Sequence, residues 1–146
     1  KKFKLLFLDI GLLQNAMGIS KETYLSKNLI AVYKGLVAEQ FIGQQLLSLE
    51  KHYKEPTLYY WVREKKGSSA EVDYLWQKGE HILPIEVKAG KTGSLKSLRL
   101  FIEEKKVEVG IRFALQPVSF NDSVLSLPLY AVEALPHILG NEILSA

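Results

Sequence analysis

No cysteine occurs among the 146 residues, and histidine occurs only three times. The first absence excludes a disulfide framework and thiolate metal sites, and agrees with a reducing compartment. The second leaves His52, His81 and His137 scattered without metal-ligand spacing, so they read as surface or turn residues and zinc is not expected. Long apolar runs are also missing. The opening Lys1-Lys2-Phe3-Lys4-Leu5-Leu6-Phe7-Leu8 imitates a signal peptide, but Asp9 interrupts it, and no segment approaches the roughly 20 apolar residues of a membrane span. The expectation is a soluble cytoplasmic domain with no membrane partner. Gly90-Lys91-Thr92 looks like the end of a phosphate-binding loop, yet Ile85 stands where that loop needs its first glycine, so no ATP site is expected within this chain. Nor does one charge dominate. Nineteen Lys and Arg against sixteen Asp and Glu give +3, too little to demonstrate nucleic-acid binding, although positives gather at Lys65-Lys66, at residues 88–91 and 96–99, and at Lys105-Lys106.

What is present is 47% hydrophobic sequence, enough for one core. A chain of this length buries roughly 70% of its unfolded surface, and a single domain over residues 1–146 is the economical reading. Because the first residue is lysine, the chain is expected to be a piece of a longer polypeptide. The pattern divides into a lead-in, residues 1–33, and a core, residues 34–146. Residues 4–8 read as a strand and 11–17 as a short helix, while 18–33 give a mixed signal. The main helix is predicted over 34–52, with Pro56 marking its exit, then an aromatic strand over 57–63 and a loop over 64–70. Ser94 is a candidate N-cap for a helix whose buried stripe is Leu95, Leu98, Phe101 and Ile102. A strand over 109–115 follows, parallel to an earlier one if that helix is a crossover. Asn121-Asp122-Ser123 reads as a turn, 124–127 as a short strand and 129–139 as a closing helix. The aromatics Tyr59, Tyr60, Trp61, Tyr74 and Trp76 alternate in a way that more often means sheet packing than base stacking.

Chemistry concentrates in two segments, Glu71-Val72-Asp73 and Ile85-Glu86-Val87-Lys88. As strands they place Val72, Tyr74 and Trp76 on one face and Glu71, Asp73 and Leu75 on the other, while Glu86 and Lys88 face away from Leu83, Ile85 and Val87. A tight turn in 77–81, centred on Lys-Gly or Gly-Glu, joins them. One register sets Glu71 opposite Glu86, another sets Asp73 opposite Glu86. Like charges facing each other across a strand pair destabilise it, so the cluster calls for a cation beyond Lys88. Oxygen donors without cysteine or clustered histidine suit Mg2+, with Mn2+ or Ca2+ as relatives. Glu39 adds a third carboxylate from the main helix, near Leu36, Ile42 and Leu46. Gly35 and Gly43, four residues to either side, each cost roughly 1 kcal/mol in a helix interior, which suggests close approach of helix to sheet there. Glu71 stays ambiguous among ligand, proton acceptor and solvating residue.

Glu39, Asp73 and Glu86-Val87-Lys88, on helix, strand and strand, resemble the PD-(D/E)XK nuclease superfamily, with Val72 at the position of the superfamily's proline. More narrowly, Phe7-Leu8-Asp9-Ile10-Gly11-Leu12, Gly35-Leu36-Val37-Ala38-Glu39, Tyr60-Trp61, Glu71-Val72-Asp73-Tyr74 and Pro84-Ile85-Glu86-Val87-Lys88 resemble an uncharacterised C-terminal domain of bacterial and archaeal AAA-type ATPases. That resemblance implies an α/β restriction-endonuclease-like core: a mixed central sheet in the order helix, three-stranded meander, helix, strand, flanked by helices. It implies Mg2+ (or Mn2+) held by Asp73 and Glu86, with Glu39 as a further ligand or water-bridged partner; Glu71 is a candidate ligand only from its place on the face of Asp73. Lys88 would orient the attacking water and stabilise developing charge. DNA would be the substrate, with Lys91, Lys96 and Arg99 as candidate nucleic-acid contacts, and an ATPase domain would precede this one in the parent chain. Oligomerisation is left open. The competing expectation is a catalytically silent module that binds nucleic acid or regulates or oligomerises the ATPase.

Overall fold

The computed structural model describes residues 3–19, 27–51, 53–65, 68–90 and 93–140. In chain order the elements are α1 (Ile10–Ala16), α2 (Lys27–Ser48), β1 (Tyr59–Lys65), β2 (Ser68–Lys78), β3 (His81–Val87), α3 (Lys96–Lys105), β4 (Gly110–Ala114), β5 (Ser119–Asn121) and β6 (Val124–Pro128). A 3-10 turn (Leu129–Ala134) and a short α4 (Leu135–Ile138) close the described chain. The strands form one six-stranded sheet in the order β1-β2-β3-β4-β6-β5. The β1-β2-β3 meander is antiparallel, β3, β4 and β6 run parallel, and β5 returns antiparallel on β6. The chain is therefore α/β with a mixed sheet, and the predicted crossover is made by α3 between β3 and β4.

Local chemistry explains most of the boundaries. Lys78 pairs with His81, so Gly79-Glu80 form the turn centre, and Gly79 takes φ 61°, where glycine has no Cβ to clash. Asp9 caps α1 by accepting from the Leu12 N–H at 3.0 Å. Helix α3 buries Leu98 and Phe101, with Leu95 and Ile102 packed partly beneath them, as the periodicity predicts. Its N-cap is Leu95, one residue past the predicted Ser94, whose Oγ accepts weakly from the Lys96 N–H at 3.4 Å. At the C-terminal end Pro136 lacks the N–H that would continue the preceding helical ladder, so the predicted single helix is instead a 3-10 turn followed by α4.

Two layers cover the sheet. Tyr74, Trp76, Leu83, Ile85, Ile111, Phe113, Leu125 and Leu127 pack with Ala38, Ile42 and Leu46 of α2 and with Val132, Leu135 and Leu139. On the other face Val72 and Val124 pack with Leu98 and Phe101 of α3. Gly110 allows α3 to approach, since a Cβ there would lie 2.8 Å from Ile102 and 3.0 Å from Leu98. Among the described residues no helix is long and apolar enough to cross a membrane.

Three expectations need correction. Helix α2 starts at Lys27 and ends at Ser48 rather than spanning 34–52, so the division between lead-in and core falls inside it. Residues 3–7 are irregular rather than a strand, because no sheet edge receives them. The even alternation of Val72, Tyr74 and Trp76 also fails. Tyr59 pairs with Leu75 but Trp61 with Val72, so β2 carries one extra residue there, a bulge that sends Val72 to the α3 face and Tyr74 to the α2 face.

Candidate functional site

The bulge shapes the acidic centre. Regular pairing of β2 with β3 is seen as far as Tyr74 with Ile85, and continuing that register sets Asp73 across from Glu86, the second of the two predicted alternatives. There the ladder gives way to a side chain. The Val87 N–H donates to Asp73 Oδ2 at 2.8 Å, so the carboxylate occupies the seam between the strands. Glu86 alternates with Ile85 and Val87 of the α2-side core and lies next to Arg112 of β4. It is 5% exposed, its Oε1 accepts from Lys88 Nζ, and its Oε2 is buried with no hydrogen-bond partner. Gly93 makes room for the lysine stem, since a Cβ there would lie 2.9 Å from Lys88 Cδ.

A second cation, Lys4, stands on the α2 side. Its Nζ lies 2.8 Å from Glu39 Oε1, 2.9 Å from Glu71 Oε1 and 3.6 Å from Asp73 Oδ1, and it also donates to the Asp73 carbonyl at 3.3 Å. The rings of Tyr60 and Tyr74 flank it, each centroid 5.5 Å away. Lys4 is delivered by a clamp one turn apart on α2: Gln40 Nε2 and Gln44 Nε2 both donate to the Phe7 carbonyl, at 3.1 and 2.7 Å. Tyr74 ties β2 to the same helix, its hydroxyl donating to the Glu39 carbonyl at 2.9 Å. Gly43 permits this, because a Cβ would stand 2.6 Å from the Tyr74 hydroxyl and 2.9 Å from Leu6, whereas a Cβ on Gly35 would meet nothing within 4 Å. The close approach predicted for both glycines holds for Gly43 alone. Leu36 is 47% exposed while Ile42 and Leu46 are buried, which puts Glu39 on the border of the buried helix face.

Electrostatics follows the crowding. Burial, then the charges of Glu86 and Glu39, push the Asp73 carboxyl up to about 7, against the opposing Val87 N–H and Lys4. Burial also raises Glu86, with Lys88 and Lys4 pulling the other way. Burial followed by Glu39 and Asp73 raises the Tyr74 phenol. For Lys4 burial opposes the charge, but the hydrogen bonds to Glu39 and Glu71 and the charges of Glu39 and Asp73 outweigh it and raise the group.

The sequence therefore singles out Glu39, Glu71 and Asp73, which meet around one ammonium, and Glu86 with Lys88, an ion pair of a buried carboxylate and a half-buried ammonium whose carboxylate is coupled by charge to Asp73. The bulge interrupts the simple alternation of β2, but it leaves Asp73 beside Glu86, across the register from it and raised by its charge. Among the described residues, no three His, Asp or Glu side chains stand as a ready metal cage. Lys4 is a second protein cation in the cluster, one that the sequence reading did not single out. Lys4 sits 35 residues from Glu39 and 69 from Asp73, and nothing in its local pattern marks it; Gln40 and Gln44, an i, i+4 pair of amides on a half-buried helix, were the available signal. Of the candidate nucleic-acid contacts, Lys96 is exposed at the start of α3, and Arg99 pairs with Asp122 at 2.9 Å on the surface. Lys91, like His52, lies outside the described residues.

Residues 34–131 match the family model described as Domain of unknown function (DUF4143). The match spans the segment that holds every one of these side chains except Lys4. Comparison with curated proteins and with solved structures gives no match.

Proposed function

Since the chain belongs to the DUF4143 family, whose description assigns no activity, we propose from its acidic centre that it is a metal-dependent phosphodiesterase domain with a restriction-endonuclease-like core, acting on DNA. The observation that supports this most directly is Glu86: a carboxylate 5% exposed, with one oxygen on Lys88 and the other buried and unpartnered, beside an Asp73 pushed up to about 7. A buried and a half-buried carboxylate, both with raised pKa values, and an orphaned oxygen suit a hard divalent cation, Mg2+ or Mn2+. Asp73 and Glu86 would hold it, with Glu39 and Glu71 at its margin. When bound, it would supply Lewis-acid activation of a phosphodiester and of water.

The chain's own residues do the rest. Val87 fixes the Asp73 carboxylate through its N–H, and burial in the sheet fixes Glu86, so both are oriented before any ligand arrives. Lys88 keeps its ammonium at Glu86, 29% exposed, where it reaches outward to a phosphoryl oxygen or an attacking water. The element order α2, β1-β2-β3, α3, β4 and the positions of Asp73 on β2, Glu86 on β3 and Lys88 just after β3 support the PD-(D/E)XK resemblance, and with it a place in a AAA-type ATPase. A second reading has its own support. Lys4 and Lys88 between them neutralise much of the cluster without any metal, as befits a silent nucleic-acid-binding or regulatory module.

Titration of Mg2+ and Mn2+ into the domain, followed by incubation with labelled single- and double-stranded DNA and RNA, decides between them. Metal-dependent cleavage abolished by Asp73→Asn supports the nuclease. Absence of cleavage on all forms leaves the silent module.

A further inference from the structure

Lys4 sits on three of the four carboxylates that the proposed metal reading gives to a cation. Its ammonium contacts three carboxylates, on α2, at the start of the hairpin and at the bulge, within 3.6 Å. A single positive charge cannot coexist there with a divalent ion on the same oxygens, because like charges a few ångströms apart repel strongly in a half-buried site. One of the two has to leave.

The segment that carries Lys4 is built so that the lysine can leave while its anchor stays. Residues 3–7 have no ladder hydrogen bonds, and Phe3 and Leu5 are 82% and 67% exposed, so moving them uncovers little further apolar surface. The firm attachments come just after: Leu6 packs against the core beside Gly43, and the Phe7 carbonyl is held by Gln40 and Gln44. Lys4 is thus two residues from a fixed point, with open space on both sides. A cavity of about 570 Å³, lined by Tyr60, Val62, Glu64 and Ser69, opens on the β1 side, and one of about 240 Å³, lined by Leu13, Met17 and Leu36, on the α1 side. Lys4 and Glu71 line both.

We propose that Lys4 is a built-in competitor for the divalent cation, an autoinhibitory counter-ion that holds Glu39, Glu71 and Asp73 until it swings out on the Leu6–Phe7 anchor. The proposal rests on the metal-site reading above and adds its regulation. Apparent metal affinity is then the intrinsic affinity reduced by the fraction of molecules with Lys4 withdrawn. Anything that draws residues 3–5 aside switches the site on.

The test uses the whole chain and Mn2+ as probe. Calorimetric titration should show Lys4→Met binding Mn2+ about tenfold or more tighter than the wild type, and adding Asp73→Asn to Lys4→Met should remove that binding. In parallel, wild-type Lys4 is labelled with a water-soluble succinimidyl ester and read by peptide mass spectrometry, and its labelling should rise several-fold as Mn2+ saturates. Equal Mn2+ affinity in wild type and Lys4→Met, or labelling unchanged while Mn2+ binds, overturns the competitor role and leaves the metal site standing. No Mn2+ binding to either folded protein overturns both readings. If Lys4→Met does not fold, the wild-type labelling decides alone.

Discussion

Asp73 and Val87 are joined by a hydrogen bond of 2.8 Å that runs from a backbone N–H to a side-chain carboxylate, at the place where β2 and β3 would otherwise exchange a ladder bond. The bulge in β2 makes this possible by leaving one residue out of the pairing with β1. A carboxylate then does a structural job in a crowded acidic seam, and its protonation is tied to folding.

The pH dependence of stability follows with a definite sign. Asp73 is raised in the folded protein from its ordinary 3.8 to about 7, so between those values the folded state holds a proton the unfolded chain has lost. Stability contributed by the neutral acid is full below about pH 4 and is lost as pH rises through 7, by up to about 4 kcal/mol for a shift of this size. Glu86, also raised, adds in the same direction. Asp73→Asn keeps an acceptor for the Val87 N–H and removes the charge. In the absence of metal it should leave melting unchanged near pH 4 and stabilise by about 1–3 kcal/mol near pH 8. Thermal melts of both proteins across that range check it, and a variant less stable at pH 8 would count against the assigned crowding.

The two helix glycines should behave oppositely. At Gly43 a methyl group would press on the Tyr74 hydroxyl and on Leu6, and overpacking of this kind costs about 1–3 kcal/mol, more than the gain in helix propensity of about 1. At Gly35 the space is open, so Gly35→Ala should stabilise by up to about 1 kcal/mol. Denaturant midpoints of the two variants are the measurement. Gly43→Ala should also loosen the Lys4 segment, because Leu6 is part of its anchor.

These relationships mark how far the sequence could be read. Short-range signals survive: the Gly79-Glu80 turn, the Leu98/Phe101 stripe and the crossover into β4 all follow from residues within a few positions of each other. The Asp73–Glu86 pairing was also legible, since strand alternation limits the hairpin to a few registers. What was hidden depends on distant partners. The β2 bulge exists only by comparison with β1, so the apparent alternation of Val72 with Tyr74 misleads. Strand β5 is three residues long, too short for a pattern. Lys4 looks like one more surface lysine until Gln40 and Gln44 bring its segment across α2.

Lys88 distinguishes a working site from a silent one, provided its structural role is separated first. Its partner Glu86 has a side chain only 7% exposed, so Lys88→Ala strands a buried carboxylate, and losing one member of such a pair costs about 3–5 kcal/mol. That loss is expected under either reading. Because Glu86 is already raised and loses an opposing cation, the penalty should shrink as pH falls and the acid becomes neutral. The rate carries the distinction. In a nuclease the ammonium stabilises charge that grows in the transition state, and its removal should lower metal-dependent cleavage by about a hundredfold or more while DNA affinity changes little. In a silent module Lys88 is one phosphate contact, so its loss weakens binding and reduces the salt slope by about one. Cleavage and salt-dependent binding should be measured at a temperature where circular dichroism shows Lys88→Ala folded. A variant that is folded, binds DNA as the wild type does and cuts it equally fast would remove Lys88 from the chemistry.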